Sequence, residues 1–412
     1  MNAVLGRERG SVFGGMLLIV GSCIGVGMLG LPIVAGLSGF FPSLVMLILA
    51  WLFMTTSALL LVEVNGWFST RVNFVTMTGQ TLGQVGKGIC TLTYISLFYA
   101  VLVAYISGIG NLSTSFFQRA FGIALPMWIG CLFFVLLFGW VIYLGTRRVD
   151  LCNRALMVGK IAFFILLVLA GVFFIQPALL LQSAPKYVGL SLPLLVISFG
   201  FHNMIPSLVF YLQGDLKRTR IAILGGSLFV FVIYLIWEIL VLGIVPIGGP
   251  GGLIDSLIKD REASQALTAI VGSPWISIFS QGLAFFAILT SFIAQALSLV
   301  HFLADGMKIP YKKKENPYLC VLVLVPPLVC TLVYPQLFFK ALNFAGGICT
   351  VILFGILPVA MVWVGRYRKK TRASYEVPGG KMTLGVVFLF ALLILFLQLA
   401  SMCGASFIPS LK

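Results

Sequence analysis

The sequence predicts an all-helical integral membrane protein with eleven transmembrane helices, arranged as two inverted five-helix repeats plus one extra helix. The first observation is composition: the 412-residue chain is 60% hydrophobic and only 9% charged, whereas soluble domains carry about 25% charged residues. The second is that the apolar runs are continuous, as in membrane helices, rather than alternating, as in barrel strands. The third is that two apolar runs, five spans apart, are interrupted near their middle.

The apolar runs define the predicted spans. A hydrocarbon core about 30 Å thick requires about 20 apolar residues in helical form. The eleven segments that qualify are 11–35, 39–63, 88–112, 126–145, 155–176, 188–212, 221–246, 275–303, 317–335, 339–365 and 383–407. In one domain of residues 1–412, the first repeat would cover 11–176, the second 188–365, and the extra helix 383–407.

The distribution of charge predicts the orientation in the membrane. The net charge is +16, but the basic residues form short clusters between apolar runs, so we do not expect nucleic-acid binding. Most of them, such as Arg147, Arg148 and Lys312–Lys314, fall in loops on one side. That side is cytoplasmic by the positive-inside rule, so the N-terminus should be cytoplasmic and the C-terminus periplasmic. Glu63, at the end of span 2, is expected to face lipid headgroups.

The interruptions in spans 1 and 6 combine glycine, polar residues and proline. Span 1 contains "GGMLLIVGSCIGVGMLGLP" and span 6 contains "SLPLLVISFGFHNMIPS". Glycine permits unwound backbone and close approach of a ligand, and proline removes a helical donor. Small residues in span 1 alone could instead allow close helix packing. The pairing of both breaks at equivalent repeat positions favours a binding site at the membrane midplane.

Two broken helices offer groups of both signs. The N–H groups of a half-helix suit a carboxylate, and unwound carbonyl groups suit an ammonium group. An amino acid carries both charges, so this pattern is typical of a secondary transporter for amino acids. A channel or a membrane enzyme is disfavoured, since no repeated filter sequence and no H-E-x-x-H motif occurs, and the absence of a P-loop disfavours an ATP-driven pump. The eight cysteines form no metal-ligand spacing, so no metal or cofactor is expected.

Both broken segments resemble a known family. "GSCIGVGMLGLP" resembles the GxxIGxGxxxLP signature of amino-acid permeases, and "SFGFHNMIPS" with "LVFYLQGDLKRTR" resembles span 6 of the bacterial hydroxy/aromatic amino acid permeases. That family belongs to the amino acid–polyamine–organocation superfamily. The resemblance implies an inner-membrane permease that imports an aromatic amino acid by proton symport with alternating access. Tyrosine is favoured, with tryptophan or another amino acid as the alternative substrate and sodium as the alternative coupling ion.

The resemblance also implies the substrate site. The backbone amides of Gly25, Val26 and Gly27 would bind the carboxylate. Backbone carbonyls of residues 199–201 would bind the ammonium group, and aromatic rings there would face the substrate ring. The other candidate binding residues surround these two breaks or lie on spans 3 and 8: Gly21, Ser22, Cys23, Ser198, Phe199, Gly200, Phe201, His202, Asn203, Tyr94 and Gln295.

Ionisable residues within the spans are candidates for coupling. Lys160 in span 5 could extend to the membrane surface, or, by the resemblance, take the place of a sodium ion between spans 1 and 8. Thr290 and Ser291 in span 8 favour sodium instead. His202 could carry a proton or bind a substrate hydroxyl, or simply be packed. Glu238 in span 7 requires a partner or a proton.

Overall fold

Helices form most of the chain. The computed structural model describes residues 10–68, 72–307, 309, 316–371 and 374–404. In the first half the α-helices are α1 (Val12–Cys23), α2 (Val26–Ala35), α3 (Phe40–Asn65), α4 (Phe74–Phe121), α5 (Met127–Tyr143), α6 (Thr146–Gly171), α7 (Pro177–Leu180), α8 (Val188–Ser198) and α9 (Ile205–Tyr211). They are followed by α10 (Leu216–Leu242), α11 (Leu253–Ile258), α12 (Ala263–Val271), α13 (Pro274–Gly306), α14 (Pro317–Val333), α15 (Phe338–Phe344), α16 (Leu357–Trp363) and α17 (Gly380–Met402).

Every predicted span overlaps helix, and the prediction of an all-helical membrane protein is confirmed. Among the described residues, eight helical segments are long and apolar enough to cross a membrane, and the bent pair α1–α2 would be a ninth. The other two predicted spans correspond to α5 and α14, which have 17 residues each. Since about 17 residues is the lower limit for crossing, the count of eleven stays a prediction, as does the division into two repeats.

Span 3 is longer in the structure than the predicted segment 88–112. Helix α4 has 48 residues and contains one break at Gly83, whose φ is 77°. This left-handed conformation favours glycine. The apolar run begins only after Gln80, Gln84 and Lys87, so hydropathy could not reveal the helical turns that precede it.

Span 10 contains two π-helical segments that the sequence did not predict. They are Ala345–Ile356 and Val364–Arg368, and they flank α16. A π-helix bonds each N–H to the carbonyl five residues earlier, and such segments occur frequently at functional sites. The first of them contributes Thr350 and Phe354 to the central cavity described below.

The two broken spans lie side by side at the centre of the fold. Helix α2 packs against α8, and α1 packs against α10. Helix α13 packs against both α6 and α4, which places three long helices around the breaks. The buried core is therefore continuous from α2 and α8 outward to α10 and α13.

The expectation that Glu63 faces headgroups is wrong. Its side chain is fully buried and accepts two hydrogen bonds from Arg366, of 2.6 Å from Nε and 2.5 Å from Nη2. The backbone N–H of Val377 donates a further bond of 2.8 Å to the same carboxylate. The pair joins the C-terminal ends of spans 2 and 10, and removing either member of such a buried pair would leave an uncompensated charge.

The connection between α10 and α13 packs onto the ends of other spans. Asp260 accepts hydrogen bonds from the N–H groups of Phe338 and Phe339, over 2.9 and 3.1 Å, and so caps α15. Its carbonyl accepts a bond of 3.2 Å from the Asn111 amide on α4. Glu262 caps α12, and burial raises the pKa of its carboxyl from the usual 4.5 to about 7.

Candidate functional site

The helix of span 1 is broken between α1 and α2. Ile24 and Gly25 are not helical, and the two half-helices are bent by 62°. Neighbouring helices approach the backbone here so closely that a Cβ on Gly25 would overlap Ser291 Oγ, and one on Gly27 would lie 2.8 Å from Ser198 Oγ. A side chain at Gly25 or Gly27 would therefore clash with span 8 or span 6, which is the close helix packing that small residues allow, and close approach of a ligand stays a prediction.

The helix of span 6 is broken between α8 and α9. Phe199–Phe201 is not helical, and a 3₁₀ turn, His202–Met204, precedes α9. The Phe199 carbonyl accepts a bond from the Phe201 N–H, and the Phe201 carbonyl accepts one from the Met204 N–H, both over 3.0 Å. Within the described part of the chain, Gly200 is the member of the trio whose carbonyl has no backbone donor.

The two breaks present groups of opposite polarity to a shared space. Helix α2 begins at Val26, so the N–H groups of Val26 and Gly27 have no intrahelical acceptor, whereas the Met28 N–H donates to the Gly25 carbonyl over 3.2 Å. They lie at the positive end of the helix dipole, which favours an anion. The Gly200 carbonyl on the facing break favours a cationic donor. The arrangement can bind the two charged groups of an amino acid.

A small cavity of about 60 Å³ lies between the breaks. Ten predicted binding residues line it, and so does the coupling candidate Ser291, with further walls from α4, α13 and span 10. The ten are Ser22, Cys23, Gly25, Val26, Gly27, Tyr94, Ser198, Gly200, Asn203 and Gln295. Pockets for small molecules usually have volumes of about 300–1,000 Å³, so the surrounding helices must separate to admit a substrate.

Four predicted binding residues lie outside this lining. Gly21 faces Met157 of α6. The Phe199 ring packs edge-on against Tyr234, with centroids 5.2 Å apart, and the Phe201 ring packs against His202. The rings at the break thus contact protein, and a role for them in substrate binding stays a prediction.

His202 is fully buried and stacks on Phe354. Its ring lies nearly parallel to the phenyl ring, with centroids 4.7 Å apart. Neither ring nitrogen has a hydrogen-bond partner within the described part of the chain. The packing contact is clear, whereas the proposed roles in proton transfer or substrate binding stay predictions.

Lys160 is buried between α6, the span 1 break and α13. Its Nζ donates a hydrogen bond of 2.7 Å to the Ile24 carbonyl and one of 3.3 Å to Thr290 Oγ1. The side chain is 2% exposed, so it does not extend to the membrane surface. The ammonium group lies between spans 1 and 8, the position that the resemblance implies.

Thr290 and Ser291 have different environments. The Thr290 hydroxyl accepts from Lys160 and donates to the Ala287 carbonyl over 3.2 Å. Ser291 lines the cavity beside Gly25. Of the two hydroxyls that were expected to favour sodium, that of Thr290 is therefore already bound to an ammonium group.

Glu238 lies one turn from the C-terminal end of α10 and does not line the cavity. Its Oε1 accepts a hydrogen bond of 2.7 Å from Ser43 Oγ at the start of α3. Its Oε2 has no hydrogen-bond partner among the described residues. The carboxyl group has the partner that the sequence required, and its part in coupling stays a prediction.

Two α10 residues at the site were not predicted. The Tyr234 hydroxyl lies 2.7 Å from both the Cys23 and the Ser198 carbonyl oxygens, so it bridges the last residues of α1 and α8. Trp237 Nε1 donates a bond of 2.8 Å to the Met28 carbonyl on α2. An aromatic residue in an apolar span carries no sequence signal that separates such a role from packing.

The sequence matches the tryptophan/tyrosine permease family over residues 8–398. The tyrosine-specific transport system 1 of Haemophilus influenzae is 32% identical to it, over 95% of this chain and 97% of the relative. The tryptophan-specific transport protein of the same organism is 30% identical, over 97% of this chain and 98% of the relative.

A solved structure has the same fold. The crystal structure of MhsT in complex with L-phenylalanine aligns with a TM-score of 0.63 and 15% identity, covering 96% of this chain and 100% of that chain. The expectations of a helical permease fold and of a protein that is not an enzyme are confirmed by these matches. Because the matches span nearly the whole sequence, this chain belongs to the tryptophan/tyrosine permease family.

Proposed function

We propose that this permease is a secondary active transporter that imports an aromatic amino acid, tyrosine in preference to tryptophan, by proton symport. The observation that carries the proposal is the meeting of two broken helices at one cavity, with a buried ammonium group bound to the span 1 break. The names of the two relatives, one for tyrosine and one for tryptophan, support an aromatic substrate and are compatible with either amino acid.

The substrate main chain would bind at the breaks. Its carboxylate would accept hydrogen bonds from the N–H groups that begin α2, where the helix dipole also favours negative charge. Its ammonium group would donate to the Gly200 carbonyl. Both contacts involve backbone, so they would fix the α-carbon of any amino acid and leave selectivity to the side-chain end of the cavity.

The substrate ring would lie among aromatic side chains from spans 3 and 10. Tyr94 stacks on Phe302 with centroids 5.6 Å apart, and its ring also contacts Phe98 and the edge of Phe354. Tyr94, Phe98 and Phe354 all line the cavity. Edge-to-face and offset contacts with such rings contribute about 0.5–1.5 kcal/mol beyond burial, so an aromatic substrate fits this wall better than an aliphatic one.

Coupling would depend on Lys160. Its ammonium group bridges the span 1 break and Thr290 of span 8, which is the pair of elements a bound cation would have to bridge. Loss of the proton would weaken the hydrogen bond to the Ile24 carbonyl and loosen the break. Proton symport is therefore favoured over sodium symport, the alternative that Ser291 would support.

Alternating access would use the half-helices as moving parts. The cavity of about 60 Å³ is too small for an aromatic amino acid, so the half-helices would have to separate to admit one. Movement of α2 and α8 would open one side, and movement of α1 and α9 the other. The excess of Lys and Arg in one set of loops supports a cytoplasmic N-terminus and a periplasmic C-terminus in a bacterial inner membrane.

Uptake into proteoliposomes tests the proposal. Purified protein would be reconstituted, and labelled tyrosine and tryptophan would be supplied with an inside-alkaline pH gradient, an inward sodium gradient, or neither. We expect accumulation with the pH gradient and no response to sodium. Absence of uptake for both amino acids would refute the substrate class, and uptake driven by sodium alone would refute proton coupling.

A further inference from the structure

Thr350 presents an unusual hydroxyl group to the central cavity. It lies in the first π-helical segment of span 10, its side chain is fully buried, and it lines the cavity. Its Oγ1 has no hydrogen-bond partner within the described residues. Burying a hydroxyl without a partner costs about 1–3 kcal/mol, and such a group in a native structure requires an explanation.

Most buried threonines elsewhere in the helices satisfy this hydroxyl locally, although Thr55 donates to Ser227 Oγ over 3.2 Å. Seven helical threonines donate to the carbonyl four residues earlier, over 2.7–3.1 Å. They are Thr78, Thr81, Thr93, Thr114, Thr219, Thr268 and Thr331. This local bond is a common arrangement for threonine within a helix, and Thr350 lacks it.

The π-helical backbone explains the difference. In an α-helix the carbonyl four residues earlier lies directly beneath the threonine side chain. In a π-helix the backbone bonds run to the carbonyl five residues earlier, so the carbonyl of Gly346 no longer lies in that position. The hydroxyl of Thr350 is thereby released from its backbone and is available to another partner.

A second unpartnered oxygen lies in the same cavity. Asn203, in the 3₁₀ turn after the span 6 break, has a buried Oδ1 with no hydrogen-bond partner in the described part of the chain. Spans 6 and 10 meet at this point, because the neighbouring His202 stacks on Phe354, one helical turn beyond Thr350. Two unsatisfied polar groups thus line one aromatic-walled cavity.

We propose that Thr350 and Asn203 form a subsite that binds the hydroxyl group on the substrate ring, and that this subsite makes the permease selective for tyrosine. The proposal rests on the function proposed above. A phenol hydroxyl can donate to Asn203 Oδ1 and accept from the Thr350 hydroxyl at the same time. An indole N–H can satisfy only the acceptor, and a phenyl ring satisfies neither.

The expected selectivity follows from the unpaired groups. A site built to bind a substrate hydroxyl discriminates against an analogue that lacks it, because its own buried polar groups stay unpaired. Phenylalanine should therefore bind at least about tenfold more weakly than tyrosine, which corresponds to roughly one lost hydrogen bond. Tryptophan should also bind more weakly than tyrosine.

Equilibrium binding to purified protein tests the subsite. Dissociation constants for labelled tyrosine, phenylalanine and tryptophan would be measured for the wild type and for Thr350→Val, which keeps the shape and removes the hydroxyl. We expect Thr350→Val to weaken tyrosine binding about tenfold while phenylalanine binding stays within about twofold of wild type. Thr350→Ser should restore the preference for tyrosine. Asn203→Leu should weaken tyrosine binding in the same way, because it removes the Oδ1 acceptor.

Thr331→Val is the matched control, because Thr331 is buried in α14 and its hydroxyl donates to the Pro327 carbonyl over 2.9 Å. It should leave the ratio of the tyrosine and phenylalanine constants unchanged. The subsite would be overturned if the ratio of the tyrosine and phenylalanine dissociation constants were unchanged in Thr350→Val. Equal binding of the two amino acids by the wild type would overturn it too, as would loss of phenylalanine binding in both Thr350→Val and Asn203→Leu. A wild type that binds no aromatic amino acid would instead refute the proposed function, and the subsite with it.

Discussion

The Lys160 ammonium group donates a hydrogen bond of 2.7 Å to the carbonyl oxygen of Ile24, the residue at which the helix of span 1 ends. A buried cation therefore binds the backbone that the break exposes. The same ammonium group contacts Thr290 of α13 over 3.3 Å. The conformation of span 1 thus depends on a charge that lies on span 5.

Replacing Lys160 by methionine should reduce pH-gradient-driven uptake by at least about tenfold. The methionine fills similar space, but the Ile24 carbonyl loses a charged donor whose hydrogen bond contributes about 1.5–3 kcal/mol. The measurement is the initial uptake rate per amount of reconstituted protein. Lys259→Met is the control, because Lys259 is half-exposed and pairs with Asp255 in the connection between α10 and α13. Wild-type rates in the Lys160 variant would show that the ammonium group has no part in transport.

Gly25→Ala should weaken substrate binding by about tenfold or more. The added Cβ would overlap Ser291 Oγ, and overpacking of this kind costs about 1–3 kcal/mol. The comparison is Gly385→Ala in α17, where a Cβ would meet nothing within 4 Å. Equal dissociation constants for the two variants in a binding titration would argue against close backbone contact at span 1.

Tyr234→Phe should lower the free energy of unfolding by about 1–3 kcal/mol. The phenyl ring keeps its packing against Phe199, but the buried carbonyls of Cys23 and Ser198 lose the hydroxyl that lies 2.7 Å from each. Thermal unfolding of the purified variant checks this. Tyr318→Phe, at an exposed position of α14, should leave the midpoint unchanged, and a midpoint equally unchanged in Tyr234→Phe would contradict the bridge.

If His202 carries a proton in addition to Lys160, His202→Phe should abolish coupling to the pH gradient and leave substrate affinity unchanged. The phenyl ring can keep the stack on Phe354 but cannot accept a proton, and residue 202 does not line the cavity. Uptake with and without a pH gradient, together with a binding titration, provides the two readouts. His202→Ala removes both the stack and the titrating group, so its comparison with His202→Phe separates packing from titration. Gradient-driven uptake that persists in the phenylalanine variant would assign His202 to packing alone.

The Glu262 carboxyl should make the protein less stable as the pH rises. Burial raises its pKa from the usual 4.5 to about 7 in the folded state. Between these values the folded state keeps a proton that the unfolded state has released, so the free energy of unfolding falls with rising pH. This contribution is fully present below about pH 4.5 and is lost as the pH passes 7.

Comparison with Glu262→Gln isolates that effect, since glutamine does not titrate. The thermal midpoint of the wild type minus that of the variant should decrease between pH 5 and pH 8. Burial also raises the pKa of Asp260, but this residue is present in both proteins, so its contribution cancels in the difference between the two midpoints. A difference that is constant with pH would mean that the Glu262 carboxyl ionises in the folded state as it does in the unfolded chain.

The sequence predicted the backbone of the site better than its side chains. The glycines of span 1 and the polar residues of span 6 marked both breaks, because unwinding within a membrane requires such residues locally. The family resemblance placed Lys160 between spans 1 and 8, where the structure has it. The orientation of the Phe199 ring could not be predicted, since the ring packs against Tyr234, which is distant in sequence.

Two further features were beyond sequence reasoning for physical reasons. The π-helical segment of Thr350 has no composition signal, because its backbone shift depends on packing against neighbouring helices. The ion pair of Glu63 with Arg366 joins residues 303 positions apart, and a carboxylate at the end of an apolar run is equally compatible with headgroup contact. Long-range pairing of this kind becomes visible only when the helices are assembled.

The two 17-residue helices, α5 and α14, pack against each other. At 1.5 Å per residue each is about 25 Å long, whereas the hydrocarbon core of a bilayer is about 30 Å thick. If α5 and α14 cross the bilayer as predicted, the protein has one thin side, beside which lipid would compress at a cost of a fraction of a kcal/mol per ångström. Acyl-chain length in the surrounding membrane becomes a variable to which this permease is sensitive on that side.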